Sequence, residues 1–184
     1  MEPREFVEKF YLYALQVQGK TDIPAVAIMA QATLESGWGK NAIGNNVFGI
    51  KYRKGDPAYR KVLTTEHSKD RNAFRGQDVK SVTLDRERGV FVFKVYQYFA
   101  DYDNPAQAFE SHARLLLNDR YKHALRWKHS PKRYLIAVWR AGYATDIHYG
   151  WKICSMVDSV VKRLPDRIPT FRPPEMIPKK AKIL

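Results

Sequence analysis

Between Ile23 and Leu34 the chain reads IPAVAIMAQATL, and only Gln31 and Thr33 in it are polar. A helix that is apolar on every side has no face to give to water, so other elements must surround it. This one segment therefore asks for a central helix with further helices packed around it. The 184 residues and 45% hydrophobic content are enough for one such core. Past the helix the chain changes character. Glu35 is a lone carboxylate at its C-terminal end, and the next stretch, SGWGKNAIGNNVFGIK, is rich in glycine, aromatic and amide side chains.

The flanking periodicities complete the layout. Pro3 opens an earlier helix with Phe6, Phe10, Tyr13, Ala14 and Val17 on one face and Gly19 as its stop. Asp22 and Pro24 then open the apolar helix. From Lys51 to about Phe99 the helical period vanishes, and RKVLTTEH (60–67), DVKSVTL (78–84) and GVFVFKVYQYF (89–99) read as strands separated by polar turns. Asn104 and Pro105 start a helix to about Leu117, with Phe109, Ala113 and Leu116 inward. Ser130 and Pro131 start another that ends at Ala141 and Gly142, and Asp146 caps a last one to Leu164. The expected fold is α+β: one domain over residues 1–164, mainly helical, with a small antiparallel β-lobe at about 52–99. Residues 165–184 hold five of the ten prolines and five basic residues, and read as a draped or mobile tail.

Several function classes drop out. No apolar run approaches the roughly 18 residues of a membrane span. The N-terminal segment has scattered charges and no small-residue cleavage site, so it reads as a helix rather than a secretory signal. A single cysteine, Cys154, excludes an intramolecular disulfide, and its helical spacing with Trp151, Val157, Val160 and Val161 places it in the core. The five histidines (His67, His112, His123, His129, His148) have no compact metal spacing and read as surface or satisfied polar residues. No phosphate-cradling loop or nucleophile elbow is present, so neither metal nor cofactor is expected. The formal charge of +13 suits any polyanion. Phe91, Phe93, Tyr96, Tyr98 and Phe99 read as alternate positions of a half-buried strand rather than a stacking platform, so no specific nucleic-acid partner is expected.

A carboxylate at a helix C-terminus feels the negative end of the helix dipole, and apolar surroundings withdraw its solvent. Both effects raise the pKa of Glu35, and a carboxyl still protonated near neutral pH is what general-acid catalysis needs. Beyond it, Gly37 and Gly39 let the backbone turn, Trp38 offers a face for a sugar, and Asn45 and Asn46 offer amides for hydroxyl or acetamido groups. With Phe48, these are the candidate substrate-binding residues.

The stretch AQATLESGWGKNAIGNNVFGIK (30–51) resembles the signature of glycoside hydrolase family 73, the endo-β-N-acetylglucosaminidases of autolysins, flagellar-rod hydrolases and phage lysins. AGYATDIHYGWKI (141–153) is similar to a second segment of that family. YFADYDNPAQAFESHARLL, between them, resembles its strand leading into the next helix. The resemblance implies a lysozyme-like fold with a glycan cleft between the lobes. It also implies cleavage of the β-1,4 bond between N-acetylglucosamine and N-acetylmuramic acid, with Glu35 as the acid.

Hydrolysis with inversion needs a second carboxylate roughly 6.5–9.5 Å away to activate water. The family carries a glutamate in a TTE-like strand, which here is Glu66, in a position where a carboxylate stays solvated. Asp78, Asp85 and Glu87 are the other carboxylates available, and assistance by the substrate's own acetamido group is a further route. Tyr143, in YATD, carries over as the residue that orients the sugar or the attacking water, whereas Thr145 and Asp146 are explained by helix capping. The implied partners are peptidoglycan glycan strands, with anionic envelope polymers held by charge, and the chain is expected to be a monomer. The place of action is the bacterial cell wall or periplasm, reached by a non-standard export route or from a phage. Two other readings stand beside hydrolysis: a lytic transglycosylase using Glu35 alone, and a non-catalytic wall-binding domain.

Overall fold

The computed structural model describes residues 1–56 and 58–165, so the Pro-rich tail lies outside the described residues but for Pro165. The apolar segment forms α2 (Ala25–Ser36), and within it only Val26, Leu34 and Glu35 are not buried. It packs against α1 (Pro3–Thr21), α4 (Pro131–Arg140) and α5 (Tyr149–Val161), so the fully apolar helix is the hub of the helical lobe. α1 buries Phe6, Val7, Phe10, Ala14 and Val17 in the core. Gly19 does not stop α1: a Cβ there would meet nothing, and the helix runs on to Thr21. Asp22 ends it, at φ 63°, donating its N–H to Gln18 O at 2.9 Å. Asp22 thus closes the first helix rather than opening the second. The side-chain oxygen of Gln18 accepts the first free N–H of α2, at Ala25, over 2.7 Å.

The three expected strands form within a residue or two of their predicted limits. β1 (Tyr59–Ser68), β2 (Asp78–Asp85) and β3 (Val90–Ala100) make an antiparallel sheet in the order β1-β3-β2. Opposed residues share a face, so the pairs Glu66–Phe93, Thr64–Val95 and Val62–Gln97 put Glu66 on the side carrying buried Phe93 and Val95. This side has its own small core, separate from the main cluster, where Phe74 of the β1–β2 loop folds back onto Phe93 with ring centroids 4.9 Å apart.

Asn104 caps α3 (Pro105–Leu116) by accepting from Gln107 N at 3.2 Å. A 3₁₀ turn at Lys122–Trp127, with no periodic signature in the sequence, precedes α4. Asp146 sits before α5 rather than at its cap. It accepts from His148 N at 2.8 Å and from Lys152 Nζ at 2.6 Å, which shapes the turn leading in. Ile153, Val157 and Val160 form the buried stripe of α5, while Trp151 is 76% exposed and Cys154 lies partly buried at the stripe's edge. The core face is thus rotated from the one predicted, and Trp151 lies outside it. No described helix is long and apolar enough to cross a membrane.

Candidate active site

Glu35 occupies the last turn of α2, where the chain is forced round sharply. Gly37, Trp38 and Gly39 have φ of 57°, 60° and 79°, three consecutive residues in the left-handed region. At Gly39 the absence of a side chain is needed twice over, since a Cβ would also lie 3.1 Å from the ring of Phe6. Ser36 braces the turn, its hydroxyl donating to Ala32 O at 2.6 Å and accepting from Gly39 N at 2.9 Å. The helix therefore stays buried to its end while Glu35 looks out. By accessible surface alone Glu35 is exposed and would pass for an ordinary carboxyl. Protein packed around its other sides withdraws solvent all the same, and that burial raises its pKa. The crowding outweighs the open side, because the cost of charging depends on all the surrounding medium.

Tyr143 lies close enough for the charge of Glu35 to act on its hydroxyl, whose pKa burial pushes well up, with Glu35 adding to the effect. The ring sits in a cluster, 5.8 Å from Tyr149, 6.0 Å from Tyr121 and 6.2 Å from His112 by centroid. Residues 108 positions apart, one in the last turn of α2 and one in the α4–α5 connection, are thus brought together. Beneath them runs a buried polar chain, of which the sequence marks only Gln31, a polar residue within an apolar run. Gln31, fully buried in α2, donates to the Tyr149 hydroxyl at 3.5 Å, and its Oε1 lies 3.0 Å from Nε2 of His112. Because that oxygen only accepts, Nε2 carries the proton. Burial depresses the His112 pKa to about 3, so the ring is neutral. Its Nδ1 has no partner among the described residues, so His112 is neither a surface residue nor a fully satisfied one.

The four candidate sugar contacts fare differently. Trp38 is partly exposed, but its edge meets Phe6 at 6.0 Å and the Arg163 guanidinium lies 5.3 Å over its face. Asn45 is half-buried and donates to Tyr102 O at 2.8 Å. Asn46 is 1% exposed: its Nδ2 donates to Ile50 O and Ala100 O, each at 2.9 Å, and its Oδ1 accepts from Ile50 N at 3.0 Å. Phe48 is a core residue, stacked on His112 at 4.1 Å and 8° and edge-on to Phe109 at 5.0 Å. The fold thus uses up Asn46 and Phe48. The two asparagines stitch the segment after α2 to the end of β3, joining the lobes, because unpaired backbone groups there need partners.

Glu66 stands on the other lobe, half-buried on the Phe93 face of the sheet. Its charge is felt by Lys51, whose Nζ lies 3.8 Å over the Phe99 ring. Burial lowers the Lys51 pKa, and Glu66 partly opposes this. The lobe's other carboxylates are engaged or exposed: Asp78 pairs with Lys61 at 2.6 Å, Asp85 accepts from Arg88 N at 3.0 Å, Asp56 from Arg53 N at 2.7 Å and Asp70 from Asn72 N at 2.8 Å, and Glu87 sits exposed in the β2–β3 turn. Glu66 is the carboxylate of that lobe placed on its half-buried face with a cation in range.

This geometry can be set beside known proteins. The sequence profile of a family described as mannosyl-glycoprotein endo-beta-N-acetylglucosaminidase matches residues 12–161, which include both lobes, Glu35, Glu66 and Tyr143. The chain belongs to this glucosaminidase family. Among relatives of this family member, the peptidoglycan hydrolase FlgJ of Pseudomonas aeruginosa is 32% identical over 160 residues, covering 83% of this chain and 35% of that protein. An autolysin of Enterococcus faecalis is 27% identical over 84% of this chain and 20% of its own length. The chain thus spans well under half of these relatives. Among solved structures, a C-terminally truncated glycoside hydrolase domain of Salmonella typhimurium FlgJ superposes with a TM-score of 0.67 at 28% identity, covering 88% of this chain and 99% of that one. The lysozyme-like α+β fold is the one expected from the sequence.

Proposed function

We propose that this chain is a peptidoglycan hydrolase, an endo-β-N-acetylglucosaminidase that cuts the β-1,4 bond on the glucosamine side, and that residues 1–164 are its working unit. The observation that carries the reading is Glu35: a carboxyl with a raised pKa, open to solvent on one side, at the end of the helix on which the lobe is built. It donates its proton to the glycosidic oxygen as the bond breaks, which requires the carboxyl to be protonated before substrate arrives. Tyr143, beside it, orients the sugar or the attacking water through its un-ionised hydroxyl. Glu66 takes a proton from that water across the cleft, with the Lys51 ammonium near enough to feel its charge. Trp38 and Asn45, the two turn residues that stay partly open, are the sugar contacts.

The relatives act on peptidoglycan by name, which supports the wall as the place of action. The deciding experiment digests purified sacculi in ¹⁸O-water and reads the fragments by mass spectrometry, beside a Glu35→Gln control. Labelled reducing-end N-acetylglucosamine, absent from the control, is the expected result. Anhydromuramyl ends would make the chain a lytic transglycosylase and leave Glu66 without a role. No fragments from either protein would leave a wall-binding domain.

A further inference from the structure

A long basic run follows α3. Residues 119–140 contain seven lysines and arginines against one acid, Asp119. The fold turns this run into a groove of about 690 Å³ between the 3₁₀ turn and α4, lined by Arg120, Arg126, Trp127, Arg133, Ile136 and Arg140 among others. Lys132, also in the lining, is neutralised by Asp158 at 2.6 Å. The four arginines have no carboxylate partner among the described residues. Like charges crowded this way repel one another, and an anion between them relieves the repulsion.

The groove is also ordered in advance. Arg133 and Arg126 lie 5.0 and 6.0 Å over the Trp127 ring, which holds their guanidinium planes. Arg120 is fixed by donating Nε to Ala141 O at 2.8 Å. Arg133 and Arg140 are seven residues apart on α4, about two turns or about 10 Å. That spacing suits a chain with repeated negative groups better than one small ion, and the guanidinium fork suits phosphate.

We infer that this groove binds a polyol-phosphate chain, phosphodiesters joined by neutral polyols, and so tethers the enzyme to the wall whose glycan it cuts. The inference rests on the cell-wall reading of the function and adds a site to it. A membrane surface fits less well, because Trp127 and Ile136 are recessed and no strongly exposed apolar side chain belongs to the groove. A single-stranded nucleic acid fits less well, because the one large aromatic face, Trp127, is already met by arginines, leaving no row of stacking platforms for bases.

The test uses the full chain carrying Glu35→Gln, with fluorescently labelled poly(glycerol phosphate) as probe at low ionic strength. Arg126→Ala, Arg133→Ala and Arg140→Ala are combined in one variant. Lys69→Ala, Lys80→Ala and Lys162→Ala, equally exposed and elsewhere, are combined in another that loses the same charge. The groove variant should bind about tenfold more weakly or worse, and the control within about threefold of the parent. Equal weakening would assign the binding to diffuse net charge and overturn the site. Tighter groove-dependent binding of phosphatidylglycerol vesicles, oligothymidylate or polyglutamate than of the polyol-phosphate would overturn the assigned ligand. With Glu35 restored, the groove variant should cut polymer-free sacculi at the parent rate. Loss of that activity would make the groove part of the glycan cleft and overturn the inference, whereas failure of the parent itself on sacculi would count against the hydrolase reading.

Discussion

A single carboxyl does two incompatible things at Glu35: it stays in reach of solvent and it resists ionisation. The direction of its pKa shift has a measurable consequence. As the proposed acid catalyst, Glu35 works only while protonated, so its raised pKa should extend activity to higher pH than an ordinary glutamate allows, with activity falling as pH rises through it. We expect the alkaline limb of kcat/KM to lie above the usual carboxylate range; a limb at the ordinary glutamate value, about 4.3, would mean another group sets it. His112 carries the opposite shift. Its folded pKa of about 3 lies below its unfolded value, so the folded state binds fewer protons between the two. The stability from keeping the ring neutral is present above about pH 6.5 and is lost progressively as pH falls toward 3. A His112→Gln variant, which keeps an amide opposite Gln31, should lose less unfolding free energy below pH 6.5 in urea melts, by on the order of a few kcal/mol at pH 4. Parallel profiles would mean that His112 is not the titrating group.

At the scale of elements, the turn after α2 is where prediction and structure part most. An amide-rich stretch beside a catalytic acid looks like a sugar subsite, and the reading of Asn45 and Asn46 rests on that chemistry. In the fold, Asn46 instead satisfies three backbone groups at the seam between the lobes. Asn46→Ala should therefore act on stability more than on substrate binding, lowering it by about 2–4 kcal/mol because Ala100 O and Ile50 N lose their partner, while Ile50 O keeps its bond from Ala100 N. Denaturant melts beside KM on sacculi check this: a stable variant with a raised KM would return Asn46 to the substrate. The strands were legible because alternation survives in a half-buried sheet. The limits of α1 were not, since Gly19 is tolerated inside a helix whose far end is held by the left-handed Asp22 and by Gln18.

For the whole molecule, the charge of +13 should hold the enzyme near an anionic wall through an attraction that salt screens. Initial rates on sacculi should fall several-fold between about 10 mM and 500 mM salt, as the screening length shrinks from about 30 Å to a few ångström. A flat profile would rule out electrostatic capture. The groove at residues 120–141 makes the same expectation local rather than global.

What the sequence determined by itself is what short-range pattern can carry. An all-apolar run dictated a central helix, alternation dictated three strands, and a lone acid ending the most buried helix marked Glu35 as chemically unusual. Two separated motifs pointed to the family, and the resemblance offered Tyr143 and, from its TTE-like strand, Glu66 as candidates. The tertiary structure decided everything that depends on who faces whom. It spent Asn46 on the backbone and Phe48 on the core. It put His112 and Gln31 under the site, and turned a run of basic residues into a groove by laying a 3₁₀ turn against α4. Such outcomes rest on contacts between residues tens of positions apart, and residue order along the chain does not encode distances across it.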